Sequence, residues 1–114
     1  MKTLLLAAAL FLLPAAAFSQ TVPNVLSWND TNAAPNNDTG ADILRGNTPG
    51  GAKTFLASVG ADATTYTDNV PVPAATTTYC YQVVAKINSI TAPPSNESCK
   101  TIAVPNPITG LSVK

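Results

Sequence analysis

Proline and glycine recur along the chain at intervals that leave little room for a long helix. The sequence has 10 prolines and 6 glycines among its 114 residues. After residue 19, no segment repeats apolar residues with helical spacing. Short stretches alternate apolar and polar residues instead, which is the pattern of half-buried β-strands. We therefore predict an all-β fold in which proline and glycine mark turns and connections.

The first 19 residues are predicted to be a secretory signal peptide. Lys2 precedes an apolar run over residues 4–13, and small residues follow that run. Cleavage after Ser19 suits the preference for small residues at the cleavage site, and cleavage after Ala17 is the alternative. The run is too short for a membrane span, so we expect none in the mature chain. Such a compact signal favours a bacterial protein that is secreted, either extracellular or periplasmic.

Charge and residue types exclude several classes of function. Six basic and six acidic residues give a net charge of +0, with no basic stripe, so nucleic acid is not an expected partner. There is no histidine, which removes the Ser/His/Asp and Cys/His nucleophile arrangements. No phosphate-binding loop or dinucleotide motif is present. We therefore predict that the protein is not an enzyme and has no cofactor, metal or catalytic residue.

One loop carries enough oxygen ligands to raise the question of calcium. Residues 29–42 include Asp30, Asp38 and Asp42 together with four asparagines. Oxygen ligands of this kind bind Ca²⁺, but the spacing matches no EF-hand. Asparagine, aspartate and glycine also form turns by themselves. We favour a turn-forming loop and leave calcium binding open.

Six short strands can be predicted after the signal peptide. Their spacing is that of a two-sheet sandwich, with a small barrel as the alternative. Proline in residues 70–76 makes that stretch a connection rather than a central strand. The predicted strands are residues 25–28, 41–46, 53–60, 64–68, 79–85 and 95–104.

The order of these segments resembles a fibronectin type III domain over residues 22–104. The resemblance rests on Trp28 in an early strand and on the stretches "DILRG", "TTYTDN", "TTYCYQVVA" and "PPSNESCKT". It implies an immunoglobulin-like sandwich with Trp28 at the centre of the core and Tyr79 as a tyrosine corner. Ala41 stands where the family usually has an aromatic residue. The last loop lacks the Arg-Gly-Asp triplet of integrin-binding members.

A type III domain begins with a strand that precedes the Trp28 strand; here it is predicted to be short or missing, because only "QTVPN" precedes "VLSW" and Pro23 interrupts it. Alternation within the other strands, together with the resemblance, selects a set of inward-facing core anchors. This set is Leu26, Trp28, Ile43, Tyr66, Tyr79, Tyr81 and Val83.

The family resemblance also implies a disulfide between Cys80 and Cys99. It pairs the last two strands as an antiparallel hairpin, with Cys80 on the outer face opposite Cys99. The same register sets Gln82 opposite Glu97 and Val84 opposite Ser95. A disulfide fits an oxidising compartment. By the chain-entropy relation, closing the loop between the two cysteines stabilises the folded protein by about 3 kcal/mol. A redox or metal site is the alternative, but two cysteines without histidine supply too few ligands.

Residues 105–114 lie beyond the predicted domain of residues 20–104. They resemble a linker and the first strand of a following type III domain. Three interpretations stay open: the remnant of a longer array, a tail that folds back on its own domain, or a strand donated to a second copy.

The predicted function is a non-catalytic secreted or cell-surface module, either a spacer or a domain for protein interaction and adhesion. A glycan-binding accessory module is one alternative, although the core claims most of the aromatic residues. A subunit of a strand-exchanged filament, with self-association through residues 105–114, is the other. The expected partner is therefore an extracellular protein, a glycan or a second copy of the chain.

Overall fold

The computed structural model describes residues 20–31 and 39–114, and all regular structure in this part of the chain is β. The predicted signal peptide and most of the predicted loop after Trp28, including Asp38, lie outside the described residues. The strands are β1 (Thr21–Ser27), β2 (Gly40–Gly46), β3 (Thr54–Gly60), β4 (Thr65–Pro71), β5 (Thr77–Ile87), β6 (Ile90–Thr91) and β7 (Ser98–Ile102).

The strands form two antiparallel sheets. β1 pairs with β4 in a two-stranded sheet, which we call the small sheet. The large sheet has the order β3-β2-β5-β6, and β7 also pairs with β5. Side chains of the small sheet hydrogen-bond to side chains of β2 and β5, so the two sheets face each other. The predicted all-β sandwich is confirmed.

The segment before Trp28 forms a single strand. "TVPN" and "VLS" together make β1, with Pro23 near its middle. Trp28 donates its backbone N–H to Thr64, and Gln20 accepts from Val72, so even-numbered residues of β1 bond toward β4. Odd-numbered residues therefore turn their backbone groups away from the ladder. Pro23 is tolerated because its missing N–H would have lain on that unpaired edge.

Alternation explains which side chains reach the interior. Along β1, Asn24 is buried and the even-numbered residues two positions on either side of it are half-buried. The residues of odd number are exposed. Along β4, Asp68 and Val70 are buried, and Asn69 between them is exposed. The prolines of residues 70–76 predict that Val70 lies in a connection, which is wrong. In fact β4 extends to Pro71, and this proline is accommodated because β4 pairs with β1 alone among the described strands.

The predicted core anchors differ in burial. Ile43 and Tyr81 are buried. The other five, Leu26, Trp28, Tyr66, Tyr79 and Val83, are half-buried. Trp28 therefore does not lie at the centre of the core. It follows the last residue of β1 and borders two open grooves. The largest fully buried side chains are Ile43, Val70, Asn24 and Cys80.

The predicted disulfide is present. Cys80 pairs with Cys99 in the β5–β7 ladder, with their Cα atoms 4.0 Å apart. The predicted register does not continue beyond Tyr81 and Ser98. Ser95 exchanges backbone and side-chain hydrogen bonds with Val83 rather than lying opposite Val84, and Gln82 donates to the Ser95 carbonyl. The chain thus shifts by one residue before β7 begins.

Candidate functional site

A buried polar cluster joins the two sheets. The Tyr81 hydroxyl donates to Asp68 Oδ2 at 2.7 Å and accepts from Asn24 Nδ2 at 2.8 Å. Arg45 Nη1 donates to the same Asp68 oxygen at 2.8 Å. Asn24 and Asp68 come from the small sheet, and Arg45 and Tyr81 come from the large sheet. Each hydrogen bond to Tyr81 or Arg45 therefore crosses the interior of the sandwich.

The electrostatics of the cluster follow from its burial. Desolvation, and then the hydrogen bond to the Asp68 carboxylate, raise the pKa of Tyr81 well above its usual range. The hydrogen bond to Asp68 also raises the pKa of Arg45. Both shifts favour the protonated form of the donor beside the Asp68 carboxylate. The protonation of these two donors therefore does not change near neutral pH. We assign it a structural role.

An open groove of about 260 Å³ runs beside this cluster, between β1 and the end of the large sheet formed by β5 and β7. We call it the β1 groove. Leu26 and Trp28 line one side, and Val83 and Ser95 line the other. Asn24 also lines it, and its buried Oδ1 atom has no hydrogen-bond partner among the described residues. A buried acceptor without a donor is destabilising.

The edge of β1 that faces away from β4 carries unpaired backbone groups. Thr21, Val25 and Ser27 direct their backbone N–H and C=O groups to this side, as the ladder register requires. The Pro23 carbonyl accepts from Lys100 Nζ at 3.2 Å. Within the described residues no strand pairs with this edge.

A small clamp lies beside the disulfide, whose Cys99 half is exposed. The Glu97 carboxylate accepts from Lys53 Nζ and from the Gly50 N–H, which draws the β2–β3 connection toward β7. Cys80 is fully buried, although alternation places it on the face opposite Tyr81. Cys80 therefore lies on the outer face, as expected, but is buried there rather than facing water.

The Glu97 carboxylate also approaches both sulfur atoms, all within 4.8 Å of one another. Disulfide sulfurs carry no thiolate charge, so this group is not a metal site in the oxidised protein. Hydrogen bonds from Lys53 and Gly50 lower the pKa of Glu97.

A second polar group lies on the outer face of the large sheet. Asp42 accepts from Lys86 Nζ and from Ser58 Oγ, both at 2.7 Å. The Lys86 hydrogen bond lowers the pKa of Asp42. Asp42, one of the three carboxylates considered for calcium binding, is therefore already paired with a lysine.

The tip of the β5–β6 hairpin exposes an apolar pair. Ile87 and Ile90 are directly opposed in the ladder and are 41% and 73% exposed. Asn88 makes the turn with a φ of 55°, a conformation that asparagine tolerates. Its N–H donates to Thr39 Oγ1, and Thr39 also bonds to the Lys86 carbonyl, so the tip is held from its base.

Sequence reasoning missed Asn24 and Asp68, the two polar residues that the core buries. The signal was present in the alternation, because Asn24 shares the parity of Leu26, and Asp68 shares that of Tyr66. Both were passed over because asparagine and aspartate are usually exposed.

Comparison of the chain with protein-family models, curated proteins and solved structures gives no match. Among the described residues there is no helix long and apolar enough to cross a membrane. The disulfide is compatible with an extracellular or periplasmic location.

Proposed function

We propose that the protein is a secreted, non-catalytic sandwich module of fibronectin type III character that binds another extracellular protein. The observation that carries this proposal is the tip of the β5–β6 hairpin. Two isoleucine side chains stand side by side there, held from below by Thr39. Exposed apolar side chains that are grouped and rigidly held are typical of interaction sites.

The strand order also supports type III character. A sheet in the order β3-β2-β5-β7, facing a sheet that contains β1 and β4, is the arrangement of that family without its first strand. This is support from topology alone, since many unrelated domains share sandwich architectures.

The path of the chain favours an interaction domain over an in-line spacer. The Gln20 carbonyl, just before β1, accepts a hydrogen bond from the Val72 N–H. The Val104 N–H, just after β7, donates to Thr76 Oγ1, and Thr76 is only four residues after Val72. The chain therefore enters β1 and leaves β7 at the same end of the sandwich. A module attached at one end presents its opposite end, where Trp28 lies, to a partner.

The test is a binding screen of the exported protein against arrays of purified extracellular proteins and glycans. We expect a protein ligand whose binding is lost in Ile90→Ser and kept in Val72→Ser, since Val72 is an exposed apolar residue elsewhere. Protein binding that survives Ile90→Ser, or no protein ligand at all, would reject this function.

Glycan binding is the second candidate, and Trp28 is the observation that favours it. The indole is half-buried and borders two grooves, so part of its ring is open to a sugar. Affinity electrophoresis in soluble polysaccharides would test this. Retardation that Trp28→Ala abolishes and Phe55→Ala leaves intact would favour the glycan alternative.

A further inference from the structure

The free edge of β1 and the β1 groove beside it form one continuous surface. The edge offers backbone donors and acceptors at Thr21, Val25 and Ser27. The groove offers apolar contacts from Leu26 and Trp28. An added strand would use both, because its backbone would pair with β1 while alternate side chains entered the groove.

The chain itself contains a segment suited to that surface. Residues 105–114 form no strand, and Ile108, Leu111 and Val113 are 89%, 88% and 94% exposed. Leu111 and Val113 are two residues apart, so a strand would present both to the same face. Exposed apolar side chains beside an unpaired backbone are unfavourable in water.

The geometry excludes the tail's own domain as the antiparallel partner. β7 runs opposite to β1, since Lys100 contacts Pro23 and Ser95 shares the groove with Trp28. The chain thus leaves β7 beside Thr21, whereas an antiparallel strand must begin beside Ser27. That is about 20 Å away at 3.3 Å per residue. The four residues from Pro105 to Ile108 span at most about 14 Å.

We infer that the free edge of β1 accepts residues 105–114 of a second copy of this chain as an added antiparallel strand. Leu111 and Val113 enter the groove beside Leu26 and Trp28, and the added backbone pairs with Val25 and Ser27. Reciprocal exchange gives a dimer, and sequential addition gives a filament. This inference does not depend on the proposed binding of another protein at the hairpin tip.

The first experiment measures assembly. Light scattering of the exported protein over a range of concentrations should show a dimer or larger species, and a chain ending at Val104 should remain monomeric. A labelled peptide of residues 105–114 should bind this shortened chain. Deletion of the tail leaves every described strand in place, so the shortened chain should fold.

Matched variants locate both sides of the contact. Val25→Pro removes an N–H on the free edge of β1, and Thr67→Pro removes one on the outer edge of β4, while neither touches the β1–β4 ladder. Peptide affinity should fall by at least about tenfold in Val25→Pro and stay unchanged in Thr67→Pro. In the peptide, Leu111→Asp should abolish binding and Ser112→Asp should not.

Three results would overturn the inference. One is a full-length chain that stays monomeric at high concentration together with a peptide that does not bind. Another is binding that is equally sensitive to Thr67→Pro, which would place the peptide elsewhere. The third is protection of the backbone amides of residues 105–114 from hydrogen exchange that does not depend on protein concentration. Such protection would mean that the tail pairs in parallel with β1 of its own chain.

Discussion

The two sheets are held together by different means. The large sheet has a disulfide, a clamp over its outer face and a ladder that joins β5 to β2, β6 and β7. The small sheet has only the pairing of β1 with β4, and within the described chain both of its outer edges are unpaired. Two strands alone are marginally stable in water. The small sheet must therefore depend on its contacts with the large one.

Those contacts are unusual because they are partly polar. Asn24 and Asp68 occupy inward positions where an apolar residue would be expected, and they bond to Tyr81 and Arg45 across the interior. A buried hydrogen-bond network favours one arrangement of the sheets, but the loss of one member leaves its partners unpaired. We therefore expect the small sheet to be sensitive to single polar substitutions and the large sheet to tolerate them.

The largest effect is expected for Asp68→Ala. This change removes the acceptor of both Arg45 and Tyr81, and it should lower the free energy of unfolding by about 3–5 kcal/mol. Urea unfolding followed by the fluorescence of Trp28, the single tryptophan, would measure it at the end of β1. Asn69→Ala, on the exposed face of the same strand, should have little effect.

Circular dichroism of the same Asp68→Ala samples would report the whole β structure. Fluorescence that changes at a lower urea concentration than circular dichroism would show the small sheet separating first. Equal losses in Asp68→Ala and Asn69→Ala would show that the cluster does not hold the sheets together.

The disulfide should give the next largest effect, and on the large sheet. Replacing both Cys80 and Cys99 with alanine should lower the free energy of unfolding by about 2–4 kcal/mol, because the cross-link limits the unfolded chain. Reductant should destabilise the parent by the same amount and leave the double variant unchanged. A double variant as stable as the oxidised parent would mean that the ladder and the Glu97 clamp suffice.

Alkaline pH should act on the small sheet through Tyr81. Its pKa is raised in the folded protein, so its contribution to stability is complete below the unfolded tyrosine value of about 10. Above that value the unfolded state loses the proton first, and stability falls with a slope of up to about 1.4 kcal/mol per pH unit.

Tyr81→Phe should abolish this alkaline slope, and Tyr66→Phe, which leaves the cluster intact, should preserve it. Unfolding midpoints measured between pH 9 and pH 11 would separate the two variants. A slope that persists in Tyr81→Phe would assign it to another group.

Sequence patterns predict most of the large sheet and less of the small one. Alternation and turn residues gave most strands of the large sheet, and the resemblance paired Cys80 with Cys99. For the small sheet, two prolines obscured the length of β1 and β4. Pro23 is tolerated because odd-numbered residues of β1 make no hydrogen bonds to β4, and this is known only once the ladder register is known. The cluster was missed because Asn24 bonds to Tyr81 on β5, which in turn bonds to Asp68 on β4 and through it to Arg45 on β2, and sequence alternation does not show which strands face each other.

The smallest effect is expected for an ion pair that resembles Arg45–Asp68 in length but not in surroundings. Lys86 and Asp42 are 2.7 Å apart on the outer face, and their side chains are 26% and 24% exposed. Arg45 and Asp68 are 2.8 Å apart; Arg45 is 33% exposed, but the carboxylate of Asp68 is only 7% exposed. Partly exposed pairs are screened by water and salt, so Asp42→Asn should cost less than about 1 kcal/mol.

The acid dependence of this outer pair has a definite sign. The pKa of Asp42 is lowered, so the stability from its charge is present above its ordinary value near 3.8 and is lost as pH falls through the lower folded value. The parent should therefore exceed Asp42→Asn in stability at pH 6, and the difference should vanish in stronger acid or in 1 M salt. Asp68→Asn should remain destabilised at pH 6 in high salt. Equal, salt-sensitive losses in both variants would show that the two pairs are alike, and the small sheet would then need another source of stability.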